Sequence, residues 1–295
     1  MDTYKQDGRA PLATLFESFN DLVRTGTDWE MSVIYEQEIK QDSNKLYLPI
    51  MCLTTKQTGP ALWILSGIHG EEPAGPNALA RNTETILNLG KKIPIVSFPL
   101  LNPIGYAKNW RYPNEYRDWK KGTSVSSAEH VLLDFNKANQ PQPRRVQPES
   151  KEAEMLISKV LELVKSYPPI LSLDHHEDEA LEYSYVYSQG SMGAKEPVAE
   201  KIINILKNSG IPIQQQGKTR FGEEVVNGVV QSTHDGSIDE LMAAEKIIVQ
   251  GQVVSGPTAP VSIVIETPVI KVPLEQRIRA HEAVIKSYEW LLVGK

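Results

Sequence analysis

Cysteine is almost missing from this 295-residue chain: Cys52 stands alone. That excludes an internal disulfide framework and any cysteine-rich zinc module. An excess of positive charge is also lacking. Lys plus Arg number 31 against 37 Asp plus Glu, a formal charge of −6. The chain therefore has no electrostatic footprint of a general nucleic-acid binder. No stretch approaches about 18 uninterrupted apolar residues, so no membrane-spanning helix is expected. The start, MDTYKQDGRA, has no basic segment leading into an apolar core. No secretory signal is visible, and the cytoplasm is the expected location.

What is present is a globular balance, with 40% hydrophobic and 23% charged residues. The length can bury a substantial core, and no composition shift demands a second domain. Residues 1–295 are therefore expected to form one domain. Leu46–Thr54 and Ala61–Ser66 read as strands around a Gly59-Pro60 turn. Pro73–Leu89 has helical apolar spacing, with Gly90 as its stop. Ile93–Leu101, Ile170–Asp174, Tyr183–Tyr187 and Ser262–Ile265 read as further strands. Ala153–Ser166, Pro197–Asn208 and Pro273–Leu292 read as helices, and the polar stretch from Asn102 to Ser150 as a long functional loop. Strands alternating with helices predict an α/β fold, a three-layer α/β/α domain around a mixed, mostly parallel sheet.

Without thiolates, a metal site must rest on His, Asp and Glu, and six histidines are few enough to take in turn. His69 follows an apolar strand in LWILSGIHGEEPAG. Ligands in open α/β sheets gather outside the carboxyl ends of strands. Gly67 and Gly70 permit a sharp turn there, and Glu72 comes three residues later, within reach of one shared metal ion. A surface loop entering a helix has the same pattern, with Glu71 and Glu72 complementing the helix dipole. His175 and His176 also follow an apolar strand, in ILSLDHHEDE. Alternation along an extended segment puts Asp174 and His176 on one face, which favours His176 over His175 as a ligand. Asp174 can then orient that imidazole through its second nitrogen. His234 lies in a loop, as a substrate-facing candidate. His130 reads as solvent-facing and His281 as an ordinary helix residue. Two histidines and a carboxylate with an open fourth position form the pattern of catalytic zinc.

The residues resemble a known family. HGEEPAG at 69–75 looks like the first zinc motif of the zinc carboxypeptidase superfamily, which includes the succinylglutamate desuccinylase/aspartoacylase branch. LNPIGYAKNWR at 101–111, LDFNK at 133–137, SLDHHED at 172–178, GSIDEL at 236–241 and SIVIETP at 262–268 resemble further family segments, in order. The resemblance implies one zinc ion held by His69, Glu72 and His176. It implies Glu266 as general base and then general acid, Arg111 as the group that polarises the scissile carbonyl, and Asn136 with Lys137 as holders of a substrate carboxylate. The implied activity is amide or peptide hydrolysis, on a small peptide or an N-acyl amino acid. Neither nucleic acid nor membrane is an expected partner. Two departures bear on specificity. Lys137 stands where most members carry arginine, and lysine is a point charge rather than a bidentate fork. Gln231 stands where digestive carboxypeptidases carry a tyrosine. An N-acyl amino acid deacylase is the alternative within the superfamily, and a catalytically inactive binding module on the same fold is the alternative outside enzymes. A non-haem Fe(II) site shares the ligand set but belongs with β-barrels, which the strand–helix alternation disfavours.

Overall fold

The computed structural model describes residues 1–41, 44–113, 126–231, 233 and 235–293. The helices in chain order are α1 (Leu12–Thr25), α2 (Ala74–Arg81), α3 (Thr83–Gly90), α4 (Pro103–Lys108), α5 (Lys151–Leu163), α6 (Pro197–Asn208), α7 (Ile238–Ala243), α8 (Leu274–Lys286) and α9 (Tyr288–Leu292). Strands β1 (Trp29–Gln41), β2 (Asn44–Thr55), β3 (Ala61–Ser66) and β4 (Ile95–Phe98) open the sheet. A small hairpin, β5 (Leu133–Phe135) and β6 (Pro141–Pro143), precedes β7 (Pro169–Asp178) and β8 (Tyr185–Ser188). Then come β9 (Gln216–Lys218), β10 (Glu224–Val226), β11 (Val229–Gln231), the pair β12 (Lys246–Val249) and β13 (Gln252–Ser255), and β14 (Ser262–Pro268).

Among the described residues ten strands form one sheet in the order β1-β2-β4-β3-β7-β14-β8-β11-β10-β9. Its centre, β4-β3-β7-β14, is parallel. Both flanks are largely antiparallel, so the sheet is mixed. Side-chain alternation splits the core into two layers. Leu62 and Ile64 of β3 pack with α1, α2, α6 and α8 on one face, whereas Ala61, Trp63 and Leu65 pack with α5 and α7 on the other. That is the expected three-layer α/β/α arrangement. Trp63 is fully buried, and its indole N–H is spent on the Tyr167 carbonyl at 2.9 Å.

Several elements differ from the sequence-based expectation. The apolar run after Pro73 is two helices, not one. The backbone breaks at Asn82 (φ −120°, ψ 25°), whose side chain donates back to the Ala78 carbonyl. The C-terminal run likewise breaks at Ser287. The strand expected to end at Asp174 continues through Asp178, and that ending at Ile265 continues through Pro268. The histidines and Glu266 therefore lie on the ladder rather than in loops beyond it. Some of the charged residues inside the sheet find partners there. Glu177, for one, accepts the Ala74 N–H at 2.6 Å and forms a buried ion pair with Arg277.

Candidate metal centre

The parallel centre of the sheet brings three carboxyl ends side by side, β3, β7 and β14. His69 follows β3 after a turn at Gly67, whose φ of +65° lies in the left-handed region glycine tolerates. The next glycine, Gly70, meets α4. A Cβ there would stand 2.0 Å from the backbone of Gly105. Gly70 thus admits α4 against the loop. The buried Arg9 guanidinium locks this contact, donating Nη1 to the carbonyls of Gly70 (3.0 Å) and Tyr106 (2.6 Å).

Register decides the rest. His176 on β7 is paired with Glu266 on β14, so both project to one face. His175 projects to the other, where it bonds His281 (2.8 Å) and the Tyr288 hydroxyl (2.6 Å). Burial lowers the pKa of His175, and lowers that of His281 to about 3. Both are packing groups of the helical layer, as expected for His281. His130 is half-buried rather than solvent-facing, and burial lowers its pKa.

Glu72 joins the two candidate ligands. Its Oε1 lies 2.7 Å from His69 Nδ1, and its Oε2 lies 3.0 Å from His176 Nδ1. The Glu177 backbone N–H also donates to Oε2. His69, Glu72 and His176 are buried, and each offers a ligand atom within 4.8 Å of the other two. Asp174 Oδ1 stands 3.2 Å from His176 Nε2, at the ring nitrogen away from the cluster. Two nitrogens and one carboxylate oxygen, with no thiolate, suit a single zinc ion. The buried Oε2 of Glu266 has no hydrogen-bond partner among the described residues, as expected of a carboxylate that faces a ligand rather than the protein.

Electrostatics follow from this crowding. Burial opposes ionisation of Glu72, but the two imidazoles outweigh it and hold its pKa well below the ordinary range. Burial and the Arg111 charge lower His69 to about 4. For His176 burial is overridden by Asp174 and Glu72, which raise its pKa. Burial pushes Glu266 up well above the usual carboxylate value. Arg111 Nη1 donates to Glu71 Oε1 and Glu72 Oε1, both at 3.1 Å.

These groups line a cavity of about 140 Å³. Arg111 and Glu266 are in its wall. Asn136 and Lys137 are not. They form the turn of the β5–β6 hairpin, where the Asn136 side chain accepts the N–H groups of Ala138 and Gln140, and Lys137 is exposed. The structure does not bring this expected carboxylate-holding pair to the metal cluster. Gln231 ends β11 and lines a neighbouring groove. His234 lies outside the described residues. The wall also holds residues that sequence reasoning missed: Asp178, Tyr185, Tyr187, Arg220 and Asp239. Asp239, in the GSIDEL segment, is raised to about 6 by burial. Arg220 carried no signal beyond a Gly222 turn.

The zinc carboxypeptidase family model matches residues 12–255. This chain belongs to that family. The matched span contains His69, Glu72, Arg111 and His176 and ends before Glu266. Similar solved structures include a candidate metallopeptidase from Shewanella amazonensis. It is 21% identical with a TM-score of 0.70, covering 99% of this chain and 98% of that one. A second, from Shewanella baltica, is 19% identical with a TM-score of 0.70, covering 95% and 91%. The metallo-carboxypeptidase from Burkholderia cenocepacia is 10% identical with a TM-score of 0.56, covering 94% and 67%. Likeness at these identities establishes the fold. No match was found among curated proteins. No helix among the described residues is long and apolar enough to cross a membrane.

Proposed function

We propose that the protein is a zinc-dependent amide hydrolase of the carboxypeptidase type, acting on small peptides or N-acyl amino acids. The observation that carries this reading is the register of β7 and β14. It sets Glu266, with an unpartnered buried oxygen, beside His176 of the ligand cluster. Zinc held by His69, Glu72 and His176 would supply Lewis acidity and lower the pKa of water towards about 7. Glu266 takes a proton from the attacking water and returns it to the leaving amine. Burial, by raising its pKa, suits it to both tasks. Arg111 lies in the cavity wall, held by Glu71 and Glu72, and offers a fixed positive charge to the developing oxyanion. Asp174 sets a negative charge 3.2 Å from the far ring nitrogen of His176, which favours the imidazole orientation with its other nitrogen towards the cluster.

The test is Glu266→Gln. Turnover of a dipeptide or acyl amino acid panel falls by about 10³-fold or more, the upper part of the range for removing a general acid–base. Elemental analysis still finds close to one zinc per chain. Retained activity in this variant would overturn the mechanism. Absence of bound metal from gently purified wild-type protein would overturn the enzyme reading and favour the binding module.

A further inference from the structure

Among the described residues the cavity wall carries two cations, Arg111 and Arg220. Arg111 is committed to Glu71 and Glu72. Arg220 is not committed in this way. Its one ion-pair contact is Nη1 to Asp178 Oδ1 at 3.2 Å, and among the described residues it makes no hydrogen bond. Its side chain keeps 32% exposure. A five-donor planar fork is thus presented to the cavity with most of its donors unspent.

The segment that carries it is built rigidly. Arg220 sits in the turn of the β9–β10 hairpin, closed by Thr219 N–H to the Glu223 carbonyl (2.9 Å) and Gly222 N–H to the Thr219 carbonyl (3.0 Å). Thr219 Oγ1 accepts the N–H groups of Phe221 and Glu223 and donates to Glu223 Oε2 at 2.6 Å. The same Glu223 oxygen takes the Tyr187 hydroxyl at 3.1 Å, tying the turn to the cavity wall. Gly222 (φ +90°) supplies the reversal. The guanidinium lies over the Phe221 ring, 4.7 Å from its centroid.

Position gives the turn a purpose. Asp178, which holds Arg220, is two residues beyond His176 on β7. Alternate residues on a strand are about 7 Å apart on one face. Through Asp178, one such step from His176, Arg220 is held in the wall of the cavity that the ligand cluster and Glu266 also line, where a charge a few bonds from a scissile carbonyl would meet it. Besides its two arginines, the wall among the described residues carries the carboxyl groups of Asp178, Asp235, Asp239 and Glu266. A substrate carboxylate is repelled there and favoured at the free edge of one guanidinium, which sets orientation as well as affinity. The expected holders, Asn136 and Lys137, meanwhile form a hairpin turn and do not line the cavity.

We infer that Arg220 is the specificity residue that receives a substrate carboxylate close to the scissile amide. The inference rests on the hydrolase reading. Two sources share this chemistry: the α-carboxylate of the residue on the amine side, and a carboxylate on the acyl side. Three probes separate them: N-acetyl-Glu-Ala, its C-terminal amide and N-acetyl-Gln-Ala. Hydrolysis is measured with the zinc-loaded full chain, and binding with its Glu266→Gln form. Wild type favours N-acetyl-Glu-Ala over one of the two neutralised analogues by about 30- to 100-fold, the scale of charge-assisted hydrogen bonds. Arg220→Ala abolishes that preference through KM, while Arg220→Lys restores part of it. Preference lost with the amide identifies the α-carboxylate, and preference lost with the Gln analogue identifies the acyl side. Turnover without any Arg220-dependent preference overturns the inference alone. Arg220-dependent binding without turnover overturns the hydrolase reading alone. Neither binding nor turnover overturns both.

Discussion

One part of the cavity lining comes from the ends of three adjacent parallel strands, and another from the 219–223 turn. On the first, β7 and β14 deliver His176 and Glu266 through ladder register, and β3 delivers His69 through the turn at Gly67; His69 and His176 are buried and Glu266 is half-buried. On the second, the 219–223 turn delivers Arg220 through five local hydrogen bonds at the sheet edge, with Phe221 66% exposed. The difference separates two tasks. Chemistry needs atoms held to fractions of an ångström, which a continuous ladder provides. Recognition needs a charge at the right distance, which a turn can supply and exchange without disturbing the core.

Substitutions on the strand wall should therefore cost stability or metal, and those on remote turns should cost little. Gly70→Ala tests this most severely. Its Cβ would meet the Gly105 backbone, which has no flexible side chain to move aside. Unfolding free energy falls by about 3 kcal/mol in a urea titration, and zinc occupancy falls with it. An unchanged midpoint would mean that the loop and α4 are not tightly joined.

The helical face behind the strand wall gives a pH signature. His281 is buried and lowered from 6.5 to about 3, so the unfolded chain takes up its proton before the folded one. Its contribution to stability is full above about pH 6.5 and is lost as pH falls towards 3. In metal-free protein, stability measured at pH 7.5 and 4.5 should drop on acidification by about 2–3 kcal/mol from this group. His281→Gln flattens the slope. A slope identical to wild type would refute the assignment.

Asp174→Asn keeps the shape of the side chain and removes the charge beside His176 Nε2. Zinc affinity should weaken by about 10- to 100-fold in a chelator competition. Lys137→Ala makes the smallest change. On the exposed β5–β6 turn it should alter kcat/KM by less than about threefold. A hundredfold loss would return that turn to the site and undo the contrast drawn above.

Local features were legible where local forces decide. The spacing of α6 and the burial of β3 were read at the residues the structure shows, Pro197–Asn208 and Ala61–Ser66. The period-two argument also separated His176 from His175, because sheet geometry has only two faces. The break at Asn82 was hidden because apolar spacing runs on through it. The extension of β7 through His175–Asp178 was hidden because buried charges look like a loop until their partners, Arg277 and Glu72, are known. Thus composition determined the absence of thiolates, and the order of motifs along the chain determined the family resemblance and the three ligand types. Only the tertiary structure decided that Arg220 joins Arg111 in the cavity wall. Nothing in the neighbourhood of Asn136–Lys137 or of Arg220 along the chain says which turn folds over the strand ends. That choice is made by sheet order, which pairs segments far apart in sequence.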